Sequence, residues 1–273
     1  MDRIPLNPSR LAIAVIGVGP IGLAAAAHLH TRGFTPLVFE AGERIASHLE
    51  SYRHVRLFSP WQFNVDPEAV RMLKRTGWTA PPPGALPTAG ELIDAYLGPL
   101  SQVPALAAGL RLRHKVLQIS REGFDKVRTV GRERAAFIVR TAGPAGIEQH
   151  RVWGVLDAAG TWGTPNPLGA NGLPALGEAR FAAHVSHGMP DLLGRERVRY
   201  SGKRTLVLGS GHSAIGTLIA LAELAEAAPA TTIAWAIRGE NLERLYGGGS
   251  ADGLPARGEL GMRLNRLVDQ KRI

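Results

Sequence analysis

Hydrophobic and polar positions along the chain sort into short apolar runs and longer alanine-rich stretches. Leu11-Ala-Ile-Ala-Val-Ile16 is a continuous apolar run, the pattern of a parallel strand buried on both faces. Leu23-Ala-Ala-Ala-Ala-His-Leu-His30 follows as a stretch of strong helix formers that Gly33 ends. Pro36-Leu-Val-Phe39 predicts the next strand. The order repeats near the C-terminus: a strand at Thr205-Leu-Val-Leu208, a helix over 215–228 stopped by Pro229, and a strand over 232–237. Between the two repeats, residues 65–110 predict a helical insertion. Val65 to Thr76 and Gly90 to Gln102 carry helical spacing, and Ala80-Pro-Pro-Pro-Gly84 is a rigid linker. Leu110-Arg-Leu112, Lys115 to Ile119 and Ala136 to Val139 predict a β-meander, and Trp153 to Ala159 a further buried strand broken at Gly160. Glycine and proline crowd residues 161–200 as a connection, and an amphipathic helix over 260–269 closes the chain.

Both repeats turn from strand to helix through glycines. The first turn is Gly17-Val-Gly19-Pro20-Ile-Gly22. Gly17 permits the tight turn, Gly19 lets backbone approach a pyrophosphate, and Gly22 lets helix and strand pack closely. The helix N-terminus then offers free N–H groups and the positive end of a dipole to phosphates. Glu40 ends the second strand, 18 residues past Gly22, where a carboxylate accepts hydrogen bonds from ribose hydroxyls. The second turn, Gly209-Ser210-Gly211-His212-Ser213-Ala214, closes on an accepted variant of the third glycine, and Arg238, not an acid, ends its second strand. A guanidinium there pairs with a 2′-phosphate and favours NADP over NAD; the plainer reading is a surface arginine in a basic chain.

Composition narrows the classes. A chain of 273 residues with 45% apolar side chains holds one large or two small domains with ample core. No apolar run reaches the 18 or so residues that span a bilayer, and Met1 to Arg10 is polar and proline-containing, unlike a secretory signal. A soluble, cytoplasmic protein with no membrane partner is expected. Without cysteine the chain has no disulfide scaffold, thiolate metal site or thiol relay. The net charge of +9 comes from singly scattered Lys and Arg with acids between them, which argues against a nucleic-acid surface. His184 and His187 have no identifiable third ligand, so no metal site is expected. Residues 41–64 are dense in aromatic and polar side chains, fit either to cover a flat ring system or to pack under the first helix.

On these two glycine turns the chain resembles the flavoproteins with two dinucleotide-binding domains, especially flavin-containing and Baeyer–Villiger-type monooxygenases, over nearly its whole length. Gly209-Ser-Gly-His-Ser-Ala214 is similar to the family's NADPH motif, and Asp157-Ala-Ala-Gly-Thr-Trp162 to its Ala-Thr-Gly crossover element, with Ala159 in place of threonine. Thr164-Pro-Asn-Pro167 and Gly172-Leu-Pro-Ala-Leu-Gly177 are similar to the sequel. The resemblance implies an α/β fold: a Rossmann-like FAD-binding domain over residues 1–165 with a helical insertion and β-meander, a connection over 166–200, and an NADPH-binding unit over 201–273. It implies FAD at the first turn and NADPH at the second, with hydride passing from NADPH to FAD and reduced flavin then reacting with oxygen on a small substrate. The expected cofactor contacts are Gly17, Gly19, Pro20, Gly22, Glu40, Trp61, Val116 and Gly160 for the first nucleotide. For the second they are Gly209, Ser210, Gly211, His212, Ser213, Ala214 and Arg238. Asn64 or Ser59 could donate a hydrogen bond to an oxygenated flavin and His187 could lie near the nicotinamide; a packing or turn role is the alternative for each.

Two departures qualify the resemblance. The monooxygenase fingerprint Phe-x-Gly-x-x-x-His-x-x-x-Tyr/Phe is met by Phe181 and His187, but Ala183 replaces its glycine and Asp191 its aromatic. The family also closes its NADPH domain with further strands and returns to the FAD domain, so the second unit reads as incomplete. Its last helix is then expected to seek a sheet, and the unit to lean on the first domain or on another subunit, as in a homodimer. The alternatives to a monooxygenase are an NADPH-dependent flavin reductase serving another acceptor, and a non-catalytic nucleotide-binding remnant or redox sensor.

Overall fold

The computed structural model describes residues 11–239 and 246–273. The expectations for Met1 to Arg10, and for the middle of the loop after Arg238, lie outside the described residues. The described residues form two compact units, one of residues 11–53 and 60–160, the other of 54–59 with everything after Gly160.

The first unit is built on a parallel sheet. β1 (Ile13–Ile16) pairs in parallel with β2 (Pro36–Phe39) on one side and with β7 (Gly154–Asp157) on the other. β3 (Leu110–Arg111) extends the sheet beside β2, giving the order β3-β2-β1-β7. Central position explains the apolar run: Ala14 and Val15 have no exposed surface. The crossover helix Pro20–Thr31 turns Leu23, Ala26 and Ala27 inward, small side chains that allow a close approach. β4 (Lys115–Arg121), β5 (Phe137–Gly143) and β6 (Gly146–Val152) form an antiparallel meander, whose Val139 and Val152 share a buried cluster with Ala14 and Phe39. Two strand assignments change. Leu110–Arg111 joins the parallel sheet instead of the meander, and the meander's third strand is β6, which carries apolar side chains only at Ile147 and Val152 and so gives no apolar signal.

The helical insertion is held by hydrogen bonds that can be traced residue by residue. Asp66 caps the helix Pro67–Lys74, accepting from the Glu68 and Ala69 amides at 2.9 and 3.0 Å. Thr88 and Glu91 form a reciprocal capping box that starts the helix Ala89–Leu92. That helix widens into a π turn at Ile93–Leu97 before resuming at Gly98–Ser101. Pro99 explains the widening: it has no N–H to give the carbonyl of Ala95, and the Trp78 indole donates to that carbonyl at 2.7 Å instead. Tyr96, 1% exposed, accepts the Asp66 amide on its hydroxyl at 2.9 Å, and burial pushes its phenol up to about 12.

In the second unit β8 (Arg204–Leu208) and β9 (Thr232–Ala236) pair in parallel. Helix His212–Ala227 and helix Pro255–Asp269 pack on one another, with Val207, Ile215, Leu218, Leu264 and Leu267 in one core. The closing helix therefore finds a helical partner where a sheet was expected. It also starts earlier than the apolar pattern shows, because Pro255 opens it and its first turn carries glycine and arginine. Leu206 and Leu208, on the remaining face of β8, stay 57% and 45% exposed. No helix among the described residues is long and apolar enough to cross a membrane.

Tyr96 supplies a test. Tyr96→Phe leaves the Asp66 amide without its acceptor and should lower stability by about 1–3 kcal/mol in urea titration. In an alkaline titration of the folded chain its phenol should ionise near 12. The neutral phenol then stabilises the fold fully below pH 10, and that contribution is lost as pH rises through 12.

Candidate functional site

The first glycine turn joins β1 to its helix. Gly17 has φ +94°, and a Cβ there would fall 2.7 Å from the Ala158 carbonyl oxygen, so the ends of β1 and β7 meet closely at this point. A Cβ at Gly22 would fall 1.9 Å from the Gly17 carbonyl oxygen, so helix and turn touch backbone to backbone. A Cβ at Gly19 would meet nothing within 4 Å. The outer glycines are thus required by the protein, whereas the middle one faces open space at a helix N-terminus with no side-chain cap. Pro20 takes the first helical position, where its missing N–H costs no bond. Gly160, φ +67°, continues from Ala158 with open space around it, and Asp157 accepts the Ala159 amide at 3.0 Å.

Glu40 is 7% exposed at the end of β2. One carboxylate oxygen accepts the Gly42 amide at 2.8 Å and the Ser47 hydroxyl at 3.0 Å; the other accepts the Val18 amide at 3.0 Å. A carboxylate offers about four acceptor positions, so one remains for a ligand hydroxyl. The Val18 bond ties the acid directly to the glycine turn. Sequence spacing located Glu40 but not these partners. Beyond it lies a shallow hollow of 330 Å³ lined by Glu43, Arg44, Leu112 and Arg113, the last at φ +58°. The two arginines lie in the loops after the C-terminal ends of β2 and β3, a position at which ligands of open α/β sheets bind and the signal that could have found them.

The second turn repeats the plan with differences. Gly209 has φ +111° and donates its amide to the Ala236 carbonyl at 3.0 Å, and neither Gly209 nor Gly211 has a neighbour within 4 Å of a would-be Cβ. Trp235 donates its indole N–H to the Gly209 carbonyl at 2.7 Å, fixing the turn against β9. Ser210 and His212 are exposed; Ser213 and Ala214 are half-buried in the first helical turn. The His212 ring lies 5.0 Å from that of Phe58, centroid to centroid. Arg257, hydrogen-bonded to Asp252, holds its carboxyl below the usual range, and the Leu254 amide and His212 act in the same sense. Among the described residues no acid stands at the end of β9. Arg238 is there, exposed, with one 3.4 Å bond to the Ala170 carbonyl.

The remaining expected residues fall in both units. Trp61 is 6% exposed and starts the short helix Trp61–Asn64. Asn64 donates back to the Pro60 carbonyl at 3.0 Å, a local turn bond. Val116 packs beside the cluster of Phe39 and Val139 on β4. Ser59 is half-buried and belongs with the second unit, as does the exposed His187. His184 is exposed too, and among the described residues no three His, Cys, Asp or Glu side chains are grouped to hold a metal ion.

Residues 15–75 match the model of the NAD(P)-binding Rossmann-like domain, the segment that contains the first turn and Glu40. Among solved structures, the bacillithiol disulfide reductase of Bacillus cereus is similar over 96% of this chain and 66% of its own, at 18% identity and a TM-score of 0.63. A crystal structure of OTEMO complexed with FAD and NADP is similar over 95% of this chain and 44% of its own, at 17% identity and a TM-score of 0.55. A cyclohexanone monooxygenase mutant from Rhodococcus sp. Phi1 bound to NADP+ is similar over 84% of this chain and 38% of its own, at 20% identity and a TM-score of 0.53. The fold is theirs. This chain spans just under two thirds of the length of the reductase and less than half that of the other two structures. No curated protein sequence matches it.

Backbone contact at Gly22 makes the first turn testable apart from any ligand. Gly22→Ala should destabilise the chain by about 1–3 kcal/mol, because its methyl overlaps the Gly17 carbonyl. Denaturant unfolding measures this, and a loss of less than about half a kcal/mol would show that helix and turn are not in contact there.

Proposed function

We propose that this chain is the nucleotide-binding part of an FAD-dependent, NADPH-using oxidoreductase, with FAD at the first glycine turn and NADPH at the second. The observation that carries the proposal is the doubled turn, in which the middle glycine of each, Gly19 and Gly211, faces open space where a helix begins. A pyrophosphate fits that opening, since a Cβ would take the room and the helix N–H groups supply donors. The residues present fit the two nucleotides differently. Glu40 keeps one acceptor position for a ribose hydroxyl and would repel a 2′-phosphate; Arg238 attracts one.

Bound together, the two nucleotides would supply hydride transfer from nicotinamide to flavin and on to oxygen or another acceptor. This chain's own groups bind and orient: Gly17 and Gly22 shape the first turn, Glu40 holds the ribose, and Trp235 locks the second turn. A monooxygenase acting on a small substrate is the reading that the second motif and the crossover element favour. A reductase serving a separate acceptor is favoured by the region of Phe181. There Asp191, in place of the fingerprint's aromatic, accepts the Gly194 and Arg195 amides at 3.0 and 3.1 Å as a turn cap, and Phe181 is 54% exposed.

Gly19→Leu should fold like the parent, because a Cβ at this position meets no protein atom within 4 Å, yet purify without flavin. Undiminished flavin in that variant removes FAD from the first turn. Arg238→Ala should weaken NADPH roughly tenfold to a hundredfold, the worth of a charge-assisted phosphate contact of about 1.5–3 kcal/mol, and leave NADH nearly unchanged. Titration of both cofactors decides it, and equal losses would refute the role of Arg238.

A further inference from the structure

We propose that Ser47 is a positioning residue that presets the Glu40 carboxylate to accept one ribose hydroxyl of an adenine nucleotide instead of two. The inference rests on the nucleotide reading of the first turn and goes beyond it to the selectivity of that site.

Three observations converge on the loop after β2. Oε1 of Glu40 is filled by two donors, the Gly42 amide at 2.8 Å and the Ser47 hydroxyl at 3.0 Å. Oε2 takes the Val18 amide at 3.0 Å and keeps the single vacant lone pair, on the oxygen that faces the glycine turn. Second, the backbone is arranged to bring Ser47 there. Ala46 sits in the left-handed region at φ +51° and is 3% exposed, a conformation that a residue with a Cβ adopts only at a cost. Its amide donates to the Val18 carbonyl at 2.9 Å, which closes a ring of hydrogen bonds through Val18, Glu40 and Ser47. Third, the ring leaves no room for a side chain at position 42: a Cβ at Gly42 would fall 2.6 Å from that of Ser47. A strained alanine and a sterically required glycine both serve the contact between Ser47 and Glu40.

The consequence is chemical. With both sites on Oε1 occupied, the carboxylate cannot straddle the 2′- and 3′-hydroxyls of a ribose. One hydroxyl finds the vacant lone pair of Oε2, and the other must be met by water. Removing the Ser47 hydroxyl frees a position on Oε1 and lets the carboxylate serve both.

The test is calorimetric titration of the full chain, freed of retained nucleotide, with ADP, 2′-deoxy-ADP and 3′-deoxy-ADP. For the parent, one deoxy analogue should bind within about twofold of ADP and the other about tenfold more weakly, the loss of one hydrogen bond to a charged acceptor. In Ser47→Ala the two analogues should converge to within about twofold of each other, and in Ser47→Thr the tenfold difference should persist. Should the alanine variant fail to fold, Ser47→Cys keeps the volume with a weaker donor and should narrow the difference in the same sense. Equal affinities of the analogues for the parent overturn the proposal. So does an unchanged ratio in Ser47→Ala, including a uniform loss for all three ligands, which marks a purely structural serine. Absence of ADP binding by the parent instead overturns the nucleotide reading of the first turn, and this proposal with it.

Discussion

The first unit depends on one backbone contact, the helix Pro20–Thr31 against the Gly17 carbonyl at Gly22. Because nothing but a hydrogen intervenes, the helix begins directly over the end of β1, and its N-terminus points at the opening beside Gly19. The same closeness explains the alanines that follow, since Ala26 and Ala27 have no exposed surface and larger side chains would push the helix off the sheet. Glu40 belongs to this arrangement. Its bond to the Val18 amide ties the end of β2 to the turn, so strand, turn and acceptor form one rigid piece. A rigid acceptor beside an open helix end is what the proposed nucleotide site requires.

The second unit uses the same parts with a different lock. Trp235 holds Gly209 through its indole, and Ile237 and Arg238, not an acid, directly follow β9. Gly258 and Gly261 let the closing helix meet backbone directly: a Cβ at either would fall 2.0 and 1.9 Å from the carbonyl oxygens of Gly249 and Tyr246. The unit has a core of its own around Leu218 and Leu264, while Leu206 and Leu208 leave one face of β8 bare.

Features that depend on residue type and near neighbours were legible in the sequence. β2 runs over Pro36–Phe39 as the apolar pattern indicates, and both turns were marked by glycines whose roles the geometry explains. What was not legible depends on distant partners. β6 is recruited by pairing with β5, although Glu148, Gln149, His150 and Arg151 run consecutively through it. The π turn follows from Pro99 but needs the Trp78 indole to satisfy Ala95, and no local pattern foretells that. Ser47 looked like one polar residue among many until the left-handed Ala46 aimed it at Glu40. Asn64 carried a functional expectation, and the structure gives it a bond to Pro60, which spacing alone could not distinguish.

The central claim is that two dinucleotides, one of them a flavin, bind this chain and exchange a hydride. The most direct measurement is the absorption spectrum of the purified full chain supplied with FAD, freed of unbound nucleotide and then titrated with NADPH without oxygen. The account predicts flavin bands in near-equimolar amount that NADPH bleaches and NADH bleaches less well. Protein that emerges without flavin, or whose flavin NADPH leaves oxidised, would contradict it.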